Sequence, residues 1–231
     1  MKHFPTLIIA AAILIMASCN NQPKPAEVKP VAAKTVSLPP YKAIIVQHGV
    51  KDYDAWYAVF KANDTLNKSF GLTSASVGRG LDDDKMVFVY SVITDVQKAK
   101  DFAASPALKA AMEKGGVTGA PVASFVDVIF DDTSSIPQSE RLMVTHHVKD
   151  FDAWKKGFDG EGDSVRASYG IVERAMARNI DDPNTVTIVF AVTDMAKAKA
   201  RVASPELKKI MTDFGVDGPP QISWFKWVAM N

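Results

Sequence analysis

One stretch of this 231-residue chain repeats another, and that repeat limits the fold more than anything else in the sequence. Val50-Lys51-Asp52-Tyr53-Asp54-Ala55-Trp56 matches Val148-Lys149-Asp150-Phe151-Asp152-Ala153-Trp154 at an offset of 98, with His48 opposite His146. A one-residue insertion then makes the offset 99. At that offset Phe70-Gly71-Leu72 meets Tyr169-Gly170-Ile171, Arg79 meets Arg178, and Ser105-Pro106 meets Ser204-Pro205. So many matches in one order imply two copies of a single domain, each with a modest core of its own.

Each copy has the same rhythm. Residues 43–48 form a β-branched apolar run of strand length, and Asp52 caps a helix in which Trp56, Val59 and Phe60 recur at helical spacing. Gly71 ends that helix, residues 72–79 alternate as a strand, and the acidic turn 81–84 leads into an apolar strand over 86–93. Asp95 opens the next helix, Ser105-Pro106 restarts it, Gly115-Gly116 closes it, and residues 121–130 make the last strand. The order is strand, helix, strand, strand, helix, strand, so the fold class is α+β with two ferredoxin-like βαββαβ repeats. They occupy residues 41–130 and 140–231, joined by residues 131–139.

A four-stranded sheet with both helices on one face leaves the other face bare, and a second sheet of the same kind would cover it. A strand ending in His, followed by Val-Lys-Asp-Tyr/Phe-Asp-Ala-Trp at a helix start, resembles members of the dimeric α/β-barrel superfamily, which includes antibiotic biosynthesis monooxygenase-like proteins. The resemblance covers both copies. It implies two sheets packed face to face, here as a pseudo-dimer within one chain, around an interior either filled by side chains or open to one small ligand.

The N-terminus carries a different signal. Lys2 and His3 precede an uncharged apolar run from Leu7 to Met16, too short to span a bilayer, so residues 1–18 are expected to be a secretory signal peptide. Met16-Ala17-Ser18-Cys19 resembles the lipobox of bacterial lipoproteins, with Met16 where Leu is usual. Cys19 is the only cysteine, which rules out an intramolecular disulfide and makes it the expected lipid attachment site. Residues 19–40, rich in Pro, Ala and Lys, are expected to form a disordered tether. By resemblance, Asn20 favours the outer membrane facing the periplasm. Loss of Lys2 with the signal brings 27 basic residues to parity with 26 acidic ones, so nothing steers the chain to nucleic acid.

Candidate site residues are few. His48 and His146 end the two first strands, where imidazole at the barrel mouths could act as acid, base or ligand contact, or could cap the strand by a hydrogen bond. Arg79 and Arg178 could hold a ligand's carboxylate or phosphate, or pair with the acidic turns beside them. Tyr90 and one of Trp224 and Trp227 could enter the barrel. No metal site is expected, because His146 and His147 point to opposite faces of a strand and no other His or Cys cluster exists. No cofactor is expected either. Haem-binding members of the superfamily use a helical histidine, and neither copy has one.

Nucleophile elbows, phosphate-binding glycine loops and dinucleotide fingerprints are absent, so no catalytic residue is assigned. The expectation is a cell-envelope lipoprotein that binds a small apolar ligand or a partner without catalysis. The alternative, carried by the fold resemblance, is a cofactor-independent monooxygenase-like or isomerase enzyme.

Overall fold

The computed structural model describes residues 40–229. The first half contains β1 (Tyr41–Val50), α1 (Tyr53–Ala62), α2 (Asp64–Ser69), β2 (Leu72–Gly80), β3 (Met86–Ile93), α3 (Val96–Ala103), α4 (Pro106–Lys114) and β4 (Val117–Asp131). The second repeats that order as β5 (Glu140–Val148), α5 (Phe151–Glu161), α6 (Asp163–Ser168), β6 (Ile171–Asn179), β7 (Thr185–Val192), α7 (Met195–Val202), α8 (Pro205–Asp213) and β8 (Val216–Ala229). The signal peptide, Cys19 and all but the last residue of the tether lie outside the described residues.

Local chemistry accounts for the helix starts. The Asp52, Asp95, Asp150 and Asp194 carboxylates accept the backbone N–H three residues on, and the Ser105 and Ser204 hydroxyls do the same ahead of a proline. β4 begins four residues before the expected start. Between Val117 and Pro121 it pairs only with β1, so a proline lacking an N–H there costs no ladder bond on the open side.

All eight strands close into one barrel in the order β1-β3-β2-β8-β5-β7-β6-β4. The halves exchange strand ends: β4 runs on to pair with β6, and β8 with β2. Ile129 and Phe130 therefore pack on the second half's core, and Ala229 on the first's. Two matched ion pairs cross the same boundary, Lys100 to Asp181 at 2.6 Å and Lys199 to Asp82 at 2.9 Å.

Inside the barrel, Phe88 stacks on Phe225 with ring centroids 4.7 Å apart, Trp227 meets Phe225 edge-on, and Met143 packs beside them. The Tyr90 hydroxyl donates to Tyr41, whose own hydroxyl donates to Asp131, each over 2.6 Å. Burial raises both phenol pKa values, that of Tyr90 to about 12. Side chains thus occupy the space between the sheets. Trp224, on the other face of β8, packs toward the helices of the second half under Lys199.

Candidate ligand-binding site

Strand alternation sends one set of side chains into the barrel and the other toward the helices. On β1 the helix-facing set is Ile44, Val46, His48 and Val50, and on β3 it is Val87, Val89, Ser91 and Ile93, with Ile44 opposite Ser91 and His48 opposite Val87. His48 and His146 therefore do not stand at the barrel mouths, as one sequence reading had it. Both point into the layer between sheet and helices, because they share the parity of the apolar residues that pack there.

In the first half this layer is incompletely filled. A cavity of about 550 Å³ lies between β1, β3 and β4 on one side and α1 to α4 on the other. Its lining is largely apolar, with Trp56, Phe60, Phe102 and Leu108 prominent, and its polar contributors include His48, Asn63, Asn67 and Ser91. Lys109, Glu113 and Ala123 are solvent-exposed as well as lining the cavity, which places its mouth between α4 and β4. The equivalent space in the second half measures about 90 Å³.

Paired positions explain the difference. Phe190, Ile210, Val202 and Arg166 stand where the first half has Ser91, Ala111, Ala103 and Asn67. One swap is reciprocal. Phe214 replaces Gly115 and lies over Gly157, where any Cβ would come within 2.6 Å of its ring; the first half has Val59 at the position of Gly157. The inserted residue is also accounted for. α5 is one residue longer than α1 and ends on Glu161, whose carboxylate takes Arg201 Nη2 at 2.9 Å and Arg166 Nη1 at 3.5 Å. Those arginines occupy the positions of Phe102 and Asn67, so buried ion pairs stand in the second half where the first has a phenyl ring and an amide.

The two histidines differ accordingly. His48 is 5% exposed, meets the Trp56 ring edge-on at 5.5 Å, and has Nδ1 3.4 Å from the Gly49 carbonyl oxygen. Burial lowers its pKa, the Gly49 contact partly opposing, so the ring is neutral at pH 7. A proton on Nδ1 leaves Nε2 as the free acceptor. His146 packs on Trp154 in the same way, but neither ring nitrogen has a hydrogen-bond partner, and burial pushes its pKa down to about 4.

The other sequence candidates lie outside the cavity. Arg79 donates from Nε to the Asp84 carbonyl oxygen at 2.7 Å, pairs with the Asp84 carboxylate at 2.9 Å, and stacks on Tyr53. Arg178 donates to the Pro183 carbonyl oxygen and stacks on Phe151. Tyr90 faces the barrel interior, opposite to Ser91 beside it. Ser91, Asn63 and Asn67 were not singled out from the sequence, although setting Ser91 against Phe190 and Asn67 against Arg166 in the two copies would have exposed those two. Among the described residues no three His, Cys, Asp or Glu side chains converge as a metal site, and no helix carries a histidine.

No family model and no curated protein matches the chain. Solved structures do match its shape. A candidate monooxygenase from Lactobacillus acidophilus superposes with a TM-score of 0.51 and 15% identity, covering 84% of this chain and 96% of its own. An anthrone oxidase-like protein gives 0.56 and 12%, covering 83% and 92%, and a candidate chlorite dismutase gives 0.53 and 11%, covering 83% and 96%. The chain has the dimeric α/β-barrel fold. At these identities the likeness concerns the α/β barrel alone.

Proposed function

We propose that this chain binds a small, flat, largely apolar molecule in the cavity of its first half. The observation that carries the reading is the inequality between the halves. One fold holds about 550 Å³ of space in one copy and about 90 Å³ in the other, because large and charged side chains fill the second. An apolar concavity with a few placed polar groups is the usual form of a small-molecule site. Calorimetric titration of the full chain with anthrone, an uncharged three-ring compound, tests it: one equivalent should bind, and absence of binding would count against the reading.

A neutral imidazole beside the cavity favours a second reading, that of a cofactor-independent oxygenase, in keeping with what the anthrone oxidase-like neighbour is named for. His48 Nε2 would take a proton from an activated methylene flanked by aromatic rings, and dioxygen from solution would be the oxidant. The balance is one CH₂ group and one O₂ giving one C=O group and one water, with one oxygen atom retained. A base must be unprotonated to act, and burial keeps His48 so. Oxygen uptake with anthrone should exceed the rate in buffer and should fall with His48→Gln, while anthrone binding persists. An uptake equal to that of buffer leaves binding as the function.

The cell envelope is the proposed location, with the barrel held by a lipid on Cys19 behind the tether. The sequence around Met16-Ala17-Ser18-Cys19 supports this. Cys19→Ala should move the protein from the membrane to the soluble fraction of fractionated cells.

A further inference from the structure

We infer that Ser91 selects the ligand of the open cavity, by hydrogen-bonding an uncharged polar group at the end of the ligand remote from His48. The inference rests on the reading of that cavity as a binding site. Three of the four helix-facing residues of β3 are Val87, Val89 and Ile93, as an apolar layer requires. The fourth is a serine, 3% exposed, lining the cavity and tied down by no side-chain hydrogen bond among the described residues. Its hydroxyl lines the cavity, the apolar side chains around it offer no hydrogen bond, and the second half has Phe190 at the same position. The cavity is where a partner for the Ser91 hydroxyl can come from.

Register sets the reach. Ser91 pairs with Ile44, and His48 lies four residues further along β1, roughly 13 Å away at the rise of a strand. The ligand that satisfies both ends is elongated, with a hydrogen-bonding atom near each.

Charge sets the class. The cavity's ionisable side chains, Lys109 and Glu113, are exposed at the rim, and His48 is neutral. An anionic or cationic group at the Ser91 end would be desolvated without a counter-ion, whereas a hydroxyl or carbonyl would not carry that cost. The cavity therefore favours neutral molecules with a polar atom at each end over those with one, and refuses carboxylates of the same outline.

Calorimetric titration of the full chain with 2-naphthol, 2,6-dihydroxynaphthalene and 2-naphthoate tests this. The second hydroxyl should tighten binding roughly fivefold over 2-naphthol. The carboxylate should bind roughly tenfold more weakly than 2-naphthol. Ser91→Ala should abolish the gain from the second hydroxyl, so that the diol and 2-naphthol bind alike, and Ser91→Thr, which keeps the hydroxyl, should preserve the gain. Melting curves establish that each variant is folded. A diol advantage that survives Ser91→Ala, or a carboxylate that binds as well as the naphthol, overturns the assignment of Ser91 without touching the cavity. If wild-type protein binds neither 2-naphthol nor the diol, the reading of the cavity as an aromatic site fails, and the role of Ser91 fails with it.

Discussion

His146 and Glu173 titrate in opposite senses within the second half. Burial pushes the Glu173 carboxyl up to about 7, with Arg166 4.0 Å away partly opposing, and pushes His146 down to about 4. Unfolded, the two titrate near 4.5 and 6.5. Below pH 6.5 the unfolded chain gains a proton at this histidine that the folded chain refuses, so His146 costs stability as pH falls from 6.5 to 4. Glu173 does the reverse: its folded form holds a proton that the unfolded form releases, so its contribution is full below 4.5 and is lost as pH rises through 7. Each shift is worth roughly 3 kcal/mol, and over most of this range they offset one another. His48, also lowered, adds to the histidine side. Urea unfolding at pH 4.5 and pH 7 checks the pairing. Replacing His146 with Phe should make the protein more stable at pH 4.5 than at pH 7, and replacing Glu173 with Gln should make it more stable at pH 7 than at pH 4.5. Equal slopes in both variants would show that the two groups are not the source.

At the scale of elements, the cavity depends on what α2 and α4 place opposite β3. Ser91→Phe copies the second half at one position and should occlude the space, so anthrone binding should be lost. Thermal melting should show stability unchanged or raised by about 1 kcal/mol, since a ring then fills an apolar void. Retained binding with a raised melting temperature would place the ligand elsewhere. The elements themselves were legible in the sequence, because capping aspartates, Ser-Pro pairs and glycines mark their ends and periodicity marks their apolar faces. Periodicity fixes parity but not fullness. It can say that Ser91 and Phe190 point the same way, but not that one leaves a hollow which the other closes. Nor could it decide which side of the sheet held free space, since that depends on Phe88, Phe225, Met143 and Trp227 meeting across the barrel from strands far apart in sequence.

At the scale of the molecule, the exchanged ends of β4 and β8 make each half part of the other's sheet. Expressed alone, residues 41–139 should not be a stable monomer, because the end of β4 and the apolar inner face of the sheet would be left uncovered. They should pair with a second copy, giving a dimer by gel filtration. A folded monomer of that fragment would show that the sheet face tolerates water. The repeat in the sequence was enough to anticipate a closed pseudo-dimer, because a bare sheet face needs a cover and the second copy supplies one. It was not enough to say which half would keep the open space.

That difference has a consequence for how such a protein can change over generations. In a ring built from two identical chains, every substitution appears on both sides of the axis, so a change that widens a site also weakens the wall supporting it. Joining the copies in one chain removes that constraint. Residues such as Glu161, Arg166 and Arg201 can accumulate on one side as buttress, while the other side keeps its hollow and can be reshaped for new guests at little risk to the whole.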